Sequence, residues 1–275
     1  MNYIFYYSGK IPKHVLYSIH SVFKSDEDAN IFFCNDSFKK FEGVNFISSD
    51  DVQSKLTKEV ENKFMNESKK GLWGSSMLRL FYLLDVANKN NLQNFVHFDS
   101  DVLLYKSYKD IYKILNQKKF NITPLNDKNL VFGYSFIGNL NVYEVICNYI
   151  FEILLNKKDY EQNYLNGKSV TEMSALGIVN KKYPDLFNLL PVLPSEERNI
   201  TFDPGSYGQY LGGVDKKIFS RGYASENHYV GKKIIKKEIF PGFDFSIGPY
   251  VETSNQKHEL VNLHVHKKNL KKFML

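Results

Sequence analysis

An apolar run, Phe95-Val96-His97-Phe98, is cut by Asp99-Ser100-Asp101 and resumes as Val102-Leu103-Leu104-Tyr105. Read as a buried strand with a sharp polar break, it puts two carboxylates where a parallel sheet presents its ligand-binding edge. Adjacent carboxylates repel, and in apolar surroundings their pKa values rise unless a cation offsets them. A divalent metal held through oxygen ligands removes that repulsion, and the metal then attracts phosphate. Solvated turn acids, or a cap on a helix beginning at Tyr108, would explain the same residues without a ligand. Acids in an ordinary loop, however, rarely sit between apolar stretches on both sides.

The flanking sequence alternates strand and helix. Tyr3 to Tyr7 is a strand candidate, Ser8-Gly9-Lys10 a loop, and Pro12 to Lys24 an amphipathic helix with Pro near its start. Short strands at Ile31 to Cys34 and Val44 to Ile47 continue the pattern. The expectation is an α/β fold: one domain with a mixed, mostly parallel central sheet flanked by helices. Met77, Leu78, Leu80, Phe81, Leu83, Leu84 and Ala87 predict a strongly apolar helix over 75–88, capped by Ser75 or Ser76. Arg79 interrupts its surface and either snorkels to solvent or points toward the acids of the next strand. Further on, a helix is expected at 108–116, strands at 120–123 and 131–137, a helix at 142–156 and another starting near Ser169. Residues 157–168 read as loop. The glycine-rich stretch Ile200 to Gly213 suits a turn and a short helix in contact with a ligand. Neither a GxGxxG nor a P-loop pattern occurs.

With 275 residues, 43% hydrophobic and 15% aromatic, the chain can build a sizeable core. No apolar stretch approaches the roughly 20 residues that cross a bilayer, and no signal-peptide pattern opens the chain. A cytoplasmic protein is expected, and Cys34 and Cys147 read as small core residues. The net charge of +6 is uneven: Lys232, Lys233, Lys236 and Lys237 form one cluster, and Lys267, Lys268, Lys271 and Lys272 another. Such clusters can hold a protein peripherally at an anionic membrane face or attract phosphorylated substrates, although solvated lysine faces are commoner. No nucleic-acid partner is expected.

The second cluster follows Leu260-Val261-Asn262-Leu263-His264-Val265-His266, which alternates like a strand. Residues two apart project to one side, roughly 6.6 Å from each other, so both imidazoles face one place. A histidine pair on a strand is more often structural than ligating. Taken with Asp99 and Asp101 it becomes a joint hypothesis: acids from mid-chain, imidazole from the end, phosphate between them, Lys267 and Lys268 beside it. His14, His20, His97, His228 and His258 show no spacing that would add ligands.

Together, Arg79-Leu80, Phe98-Asp99-Ser100-Asp101-Val102, Asp203 through Gly208-Gln209-Tyr210-Leu211-Gly212-Gly213, and Leu263-His264-Val265-His266-Lys267-Lys268 resemble a nucleotide-sugar-dependent glycosyltransferase of the GT-A fold. The resemblance covers most of the chain. It implies one domain over 1–275, a nucleotide-binding half at 1–105 and an acceptor and sugar half at 106–275. It further implies that Asp99 and Asp101 bind Mn²⁺ or Mg²⁺, that His264 or His266 completes the protein ligands, and that Lys268 contacts the diphosphate. By the same resemblance Tyr7, Ser8 and Gly9 line the nucleobase pocket, Ser100, Arg79 and Gly213 reach the donor, and Asp203 and Gln209 face the donor sugar or acceptor. The implied reaction is hexosyl transfer from a nucleoside-diphosphate sugar, UDP-linked, to a glycan or lipid-linked acceptor in polysaccharide or glycoconjugate synthesis. Glu172-Met173 departs from the Asp-Gln-Asp pattern of similar retaining enzymes, so stereochemistry stays open, and Glu172 or Asp203 could serve as the base of an inverting reaction. Loops 157–168 or 222–233 could act as lids.

Two other readings compete. Phosphatases of the haloacid dehalogenase type also place Asp-x-Asp after an apolar strand, but usually near the chain start, whereas about 95 residues precede it here. They also need a downstream acidic pair. A noncatalytic protein that binds nucleotide or carbohydrate would keep the fold without turnover.

Overall fold

A computed structural model describes residues 1–37, 41–67, 72–214 and 225–275. In chain order its strands are β1 (Asn2–Tyr7), β2 (Asn30–Asn35), β3 (Val44–Ser48), β4 (Phe95–His97), β5 (Val102–Leu104), β6 (Phe120–Asn126), β7 (Asn129–Ile137), β8 (Phe187–Leu189), β9 (Ile200–Thr201), β10 (Phe240–Asp244), β11 (Gly248–Glu252), β12 (Lys257–Leu260) and β13 (Asn262–His264). The helices are α1 (Lys13–Ser25), α2 (Ser49–Val52), α3 (Lys55–Glu67), α4 (Leu72–Lys89), α5 (Tyr108–Ile111), α6 (Leu140–Leu155), α7 (Lys157–Asn163), α8 (Glu172–Lys182), α9 (Tyr207–Gly212) and α10 (Tyr229–Ile235).

Seven strands form the central sheet in the order β3-β2-β1-β4-β7-β6-β8. The pairings β3-β2, β2-β1, β1-β4 and β6-β8 are parallel, whereas β4-β7 and β7-β6 are antiparallel. The fold class is therefore the mixed, mostly parallel α/β architecture expected from the alternation. Its inner strands β1, β2, β4, β7 and β6 are largely buried on both faces, which is why they read as nearly continuous apolar runs. Ile4, Phe32 and Cys34 join the core under α4, α6 and α8, and Tyr3, Phe5, Ile31 and Phe33 join the core under α1. The strand period of two sorts one sequence into two cores.

The Asp-x-Asp segment departs from a single strand. The Val102 amide donates to the Asp99 carbonyl (3.0 Å), a turn that ends β4 and sends β5 out of the central sheet. Instead, β5 pairs antiparallel with β13. Its other side is held by α1: the Ser18 and Ser25 hydroxyls donate to the Val102 and Leu104 carbonyls (2.7 and 2.8 Å), and the Ser21 hydroxyl accepts from the Leu104 amide (3.0 Å). Three serines spaced i, i+3, i+7 on one helix face thus replace a neighbouring strand.

The expected strand at 260–266 is likewise two elements. β12 joins a four-stranded sheet, β10-β11-β12-β9, whereas β13 crosses to β5. A third, smaller core lies here, with Leu103, Leu263, Val265, Tyr207 and Phe273 among its members. The expected helix at 108–116 is one α-turn followed by a 3₁₀ turn at Tyr112–Ile114. Residues 157–163 are the helix α7 rather than loop. Of the other expected lid, residues 222–224 lie outside the described residues, and 229–235 are helical. No helix among the described residues is long and apolar enough to cross a membrane. Cys34 and Cys147 are buried free thiols, as read from the sequence.

Helix α8 packs closely on the β6-β7 turn. A methyl group added at Gly177 would collide with the Lys128 carbonyl. Gly177→Ala is therefore expected to destabilise the fold by about 1–3 kcal/mol, read as a lower urea midpoint with an unchanged slope.

Candidate functional site

The site forms where β1 and β4 end. The turn after β4 is pinned on both flanks: the Asp99 amide donates to the Phe132 carbonyl (3.0 Å), and the Val265 amide donates to the Asp101 carbonyl (2.9 Å). Leu263 and Val265 point into the third core, so the alternation of an extended chain sends His264 and His266 the other way. The two rings stack at 4.2 Å between centroids. Asp101, His264 and His266 each offer a ligand atom, all within 4.8 Å of one another.

Hydrogen bonding orients this group. His264 Nε2 lies 3.0 Å from Asp101 Oδ1 and 3.7 Å from Asp99 Oδ2. His264 Nδ1 is buried with no hydrogen-bond partner. His266 Nε2 donates to the Gly205 carbonyl (3.0 Å), which leaves Nδ1 as the acceptor nitrogen of that ring. Burial acts to raise the Asp101 pKa, but the His264 imidazole, His266 and Lys268 outweigh it and hold the carboxyl below its ordinary range. The reverse holds for His264, where burial lowers the pKa and the Asp101 charge carries it above the usual value. His266 is pulled down to about 4 by burial and by the His264 charge, so it is neutral and able to ligate.

Arg79 does not snorkel. From α4 its guanidinium pairs with Asp99 and with Glu172 Oε2 (2.7 Å), above the ring of Phe132 at 5.0 Å. Glu172 is the first residue of α8, behind the Thr171 cap. Burial raises its pKa, against the lowering effect of Arg79. Glu172 thus orients Arg79, and Arg79 orients Asp99.

The structure corrects the expectation that Asp203 faces a substrate. Asp203 is 0% exposed. Its Oδ1 accepts from the amides of Gly205, Ser206 and Tyr207 (2.8, 2.7 and 2.9 Å), and its Oδ2 from those of Gly208 and His264 (both 2.9 Å). A carboxylate with five amide donors holds a loop; it is not placed to take a substrate proton. Asn262 completes the knot, accepting from the Asp203 amide and donating to the carbonyls of Asp203 and Gly133.

The other expected residues fall as follows. Tyr7 lies within electrostatic reach of Asp101. The Gly9 amide, at φ +83°, donates to Asp36 Oδ1 (2.8 Å), and the Ser8 hydroxyl donates to Asp36 Oδ2 (3.1 Å). Ser100 is half-buried within the Asp99 turn. Lys268 is exposed, in the left-handed region (φ +62°), and its charge reaches Asp101. Gln209 is half-buried in α9, and Gly213 ends that helix at φ +79°. Sequence reasoning missed Asp36, Asn262 and His14. The last is buried on α1 within reach of Asp101 and Lys268, and its Nε2 has no hydrogen-bond partner. A helix-borne histidine beside the first βα loop was the available signal.

No family model matches this chain, and no curated protein matches it. Among solved structures it is similar to mouse xyloside xylosyltransferase 1 in its apo form: TM-score 0.48, 10% identity, 70% of this chain and 86% of that one. It is also similar to the galactosyltransferase LgtC in complex with donor and acceptor sugar analogs, with TM-score 0.46 and 11% identity over 80% of this chain and 82% of that one. A third is the glycosyltransferase GlyE of Streptococcus pneumoniae, with TM-score 0.42 and 12% identity over 80% of this chain and 49% of that one.

Asp203→Asn would replace one acceptor oxygen by a donor and strand at least two buried amides. At about 1–3 kcal/mol for each stranded group, the variant is expected to lose about 2–6 kcal/mol of stability in urea unfolding. Retention of wild-type stability would show the carboxylate to be dispensable to the fold.

Proposed function

We propose that this chain is a GT-A-type glycosyltransferase that uses Mn²⁺ or Mg²⁺ to move a sugar from a nucleoside-diphosphate sugar, with UDP as carrier, to a glycan or lipid-linked acceptor. The observation that carries this reading is the convergence of Asp101, His264 and His266 at the ends of parallel strands, with Asp99 and Lys268 beside them. The donor set suits a divalent cation: one carboxylate, two imidazoles and a buried His264 nitrogen without a partner. Asp101, His264 and His266 would hold the cation, with Asp99 at its margin. When bound, the cation supplies Lewis-acid stabilisation of the negative charge that grows on the departing diphosphate.

The chain's own residues account for the rest. Lys268 adds a positive charge on the same side, at the end of the segment that carries the imidazoles. Arg79, fixed by Glu172, keeps the Asp99 carboxylate turned toward the site. Tyr7, with the Ser8-Gly9 loop held by Asp36, would line the nucleobase pocket. Both carboxylates considered as bases are engaged, Asp203 by amides and Glu172 by Arg79, and the reading assigns neither as a proton acceptor. An acidic triad around a nucleophilic Asp99 would have favoured phosphatase chemistry. Two imidazoles opposite Asp101, and Asp99 paired with Arg79, favour transfer.

Calorimetry with a panel of nucleoside diphosphates tests this directly. Binding is expected to require Mn²⁺, and Asp101→Ala to weaken it at least about 100-fold, with a thermal midpoint close to that of the unaltered protein. Binding that is equally tight without metal, or undiminished in Asp101→Ala, would remove the reading. Arg79→Lys is expected to lower the rate of donor hydrolysis more than it changes nucleotide affinity, because an ammonium cannot span Asp99 and Glu172 together. Steady-state kinetics separates the two effects.

A further inference from the structure

We propose that the tip of the β10-β11 hairpin docks this protein onto an anionic lipid surface. The tip carries Phe245, 71% exposed, and Ile247, 41% exposed. A lone exposed apolar residue is ordinary, but here two adjoin on one protruding turn and the turn is rigid. The amide and hydroxyl of Ser246 both donate to Asp244 Oδ1 (2.8 and 2.6 Å). The Phe245 ring stands edge-on to Phe243 at 5.2 Å, and Phe243 in turn packs on Phe273 at 5.2 Å and Tyr105 at 6.3 Å. Phe245 is thus propped outward on a partly buried aromatic base that rests on the buried Phe273.

Charge selects the occupant. Lys272 lies over the Phe273 ring at 5.3 Å, Lys271 is exposed in the same turn, and Lys24 donates to the Leu275 carbonyl. The Leu275 side chain would lie 3.6 Å from a Cβ at Gly248, the residue that closes the tip. Lys272 and Lys24 are thus anchored on Phe273 and Leu275, the two residues that adjoin the base and the close of this hairpin. The acid at the tip, Asp244, is held by Ser246 and lies within reach of Lys257. An apolar wedge bordered by lysines complements a bilayer with acidic headgroups: the rings enter the interface while the ammonium groups stay at phosphate level. A second copy of this chain would bring identical lysines against one another, which disfavours self-association through this face. Tyr105, on which the hairpin rests, directly follows β5, four residues beyond Asp101. The proposed metal ligands therefore lie roughly 13 Å along the strand from the docking face.

Co-sedimentation with vesicles tests this without sugar nucleotide or metal, so its outcome is independent of the catalytic reading. The protein is expected to pellet with vesicles of phosphatidylcholine mixed with phosphatidylglycerol, and far less with phosphatidylcholine alone. Phe245→Ser with Ile247→Ser is expected to weaken binding at least about tenfold, as is Lys271→Glu with Lys272→Glu, and salt should weaken the binding of the unaltered protein. Circular dichroism checks that each variant folds. As a second readout, Phe245→Trp in a background of Trp73→Phe, which removes the chain's single tryptophan, should show an emission blue shift with anionic vesicles only. The proposal is overturned by failure to bind anionic vesicles, by equal binding to neutral ones, or by serine variants that bind like the unaltered protein. A dimer in size-exclusion chromatography that the serine variants dissolve would overturn it in favour of a second copy.

Discussion

The architecture of the site depends on one buried carboxylate. Asp203 gathers four amides from the start of α9 and a fifth from His264, joining two segments about 60 residues apart in the chain. Buried amides left without acceptors are costly, and a carboxylate with two oxygens is one of the few groups able to serve several at once. The bond to His264 fixes the backbone from which both imidazoles project. The bond to Gly205 sets the loop whose carbonyl orients His266. Glycine is required at that point for two reasons: φ is +89°, and a side chain would press on both rings. The start of the glycine-rich stretch, from Asp203 to Gly208, scaffolds the imidazoles.

Much of this was legible because it rests on periodicity. The sheet and its main helices followed from apolar runs two-sided in burial, and the shared face of His264 and His266 from alternation. Order and spacing brought Asp99, Asp101 and the imidazoles together as a hypothesis, and the coordinates put them within reach of one another. The outcome for Arg79 was left open by the sequence because its partner lies 93 residues away: Glu172 has no local signature beyond its cap. Asp203 was misread for the same reason. A lone Asp among glycines looks like a solvent-facing acid until the backbone amides curl around it. The break between β12 and β13 was also hidden, since a strand that changes sheet keeps its alternation on both sides of the change.

The two ion networks divide the labour of the site. Arg79, Glu172 and Asp99 form a buried chain behind the turn, where a guanidinium between two carboxylates is the arrangement that leaves the least uncompensated charge. Asp101 and His264 form the front, where imidazole and carboxylate each favour the charged form of the other. The back network ends in the buried Glu172, whereas the front borders the half-exposed Tyr7 and the exposed Lys268. Under the proposed function, a cation would take the place of the proton between this imidazole and carboxylate.

Electrostatic balance then says what such a site prefers. Asp99, Asp101 and Glu172 contribute three carboxylates, and Arg79 compensates one of them in full. His264 offsets Asp101 when protonated and leaves it uncompensated when neutral, neutral His266 compensates none, and Lys268 stands at the exposed margin. With His264 neutral, as a ligating imidazole must be, the pocket carries an excess of negative charge at its inner end and a positive charge at its mouth. A bare polyanion would be repelled from the inner end and a bare cation would leave the mouth unbalanced. Under the proposed function, a divalent cation inside with a diphosphate outside would satisfy both ends at once, and cation and nucleotide would then bind cooperatively, each deepening the affinity of the other by the same factor.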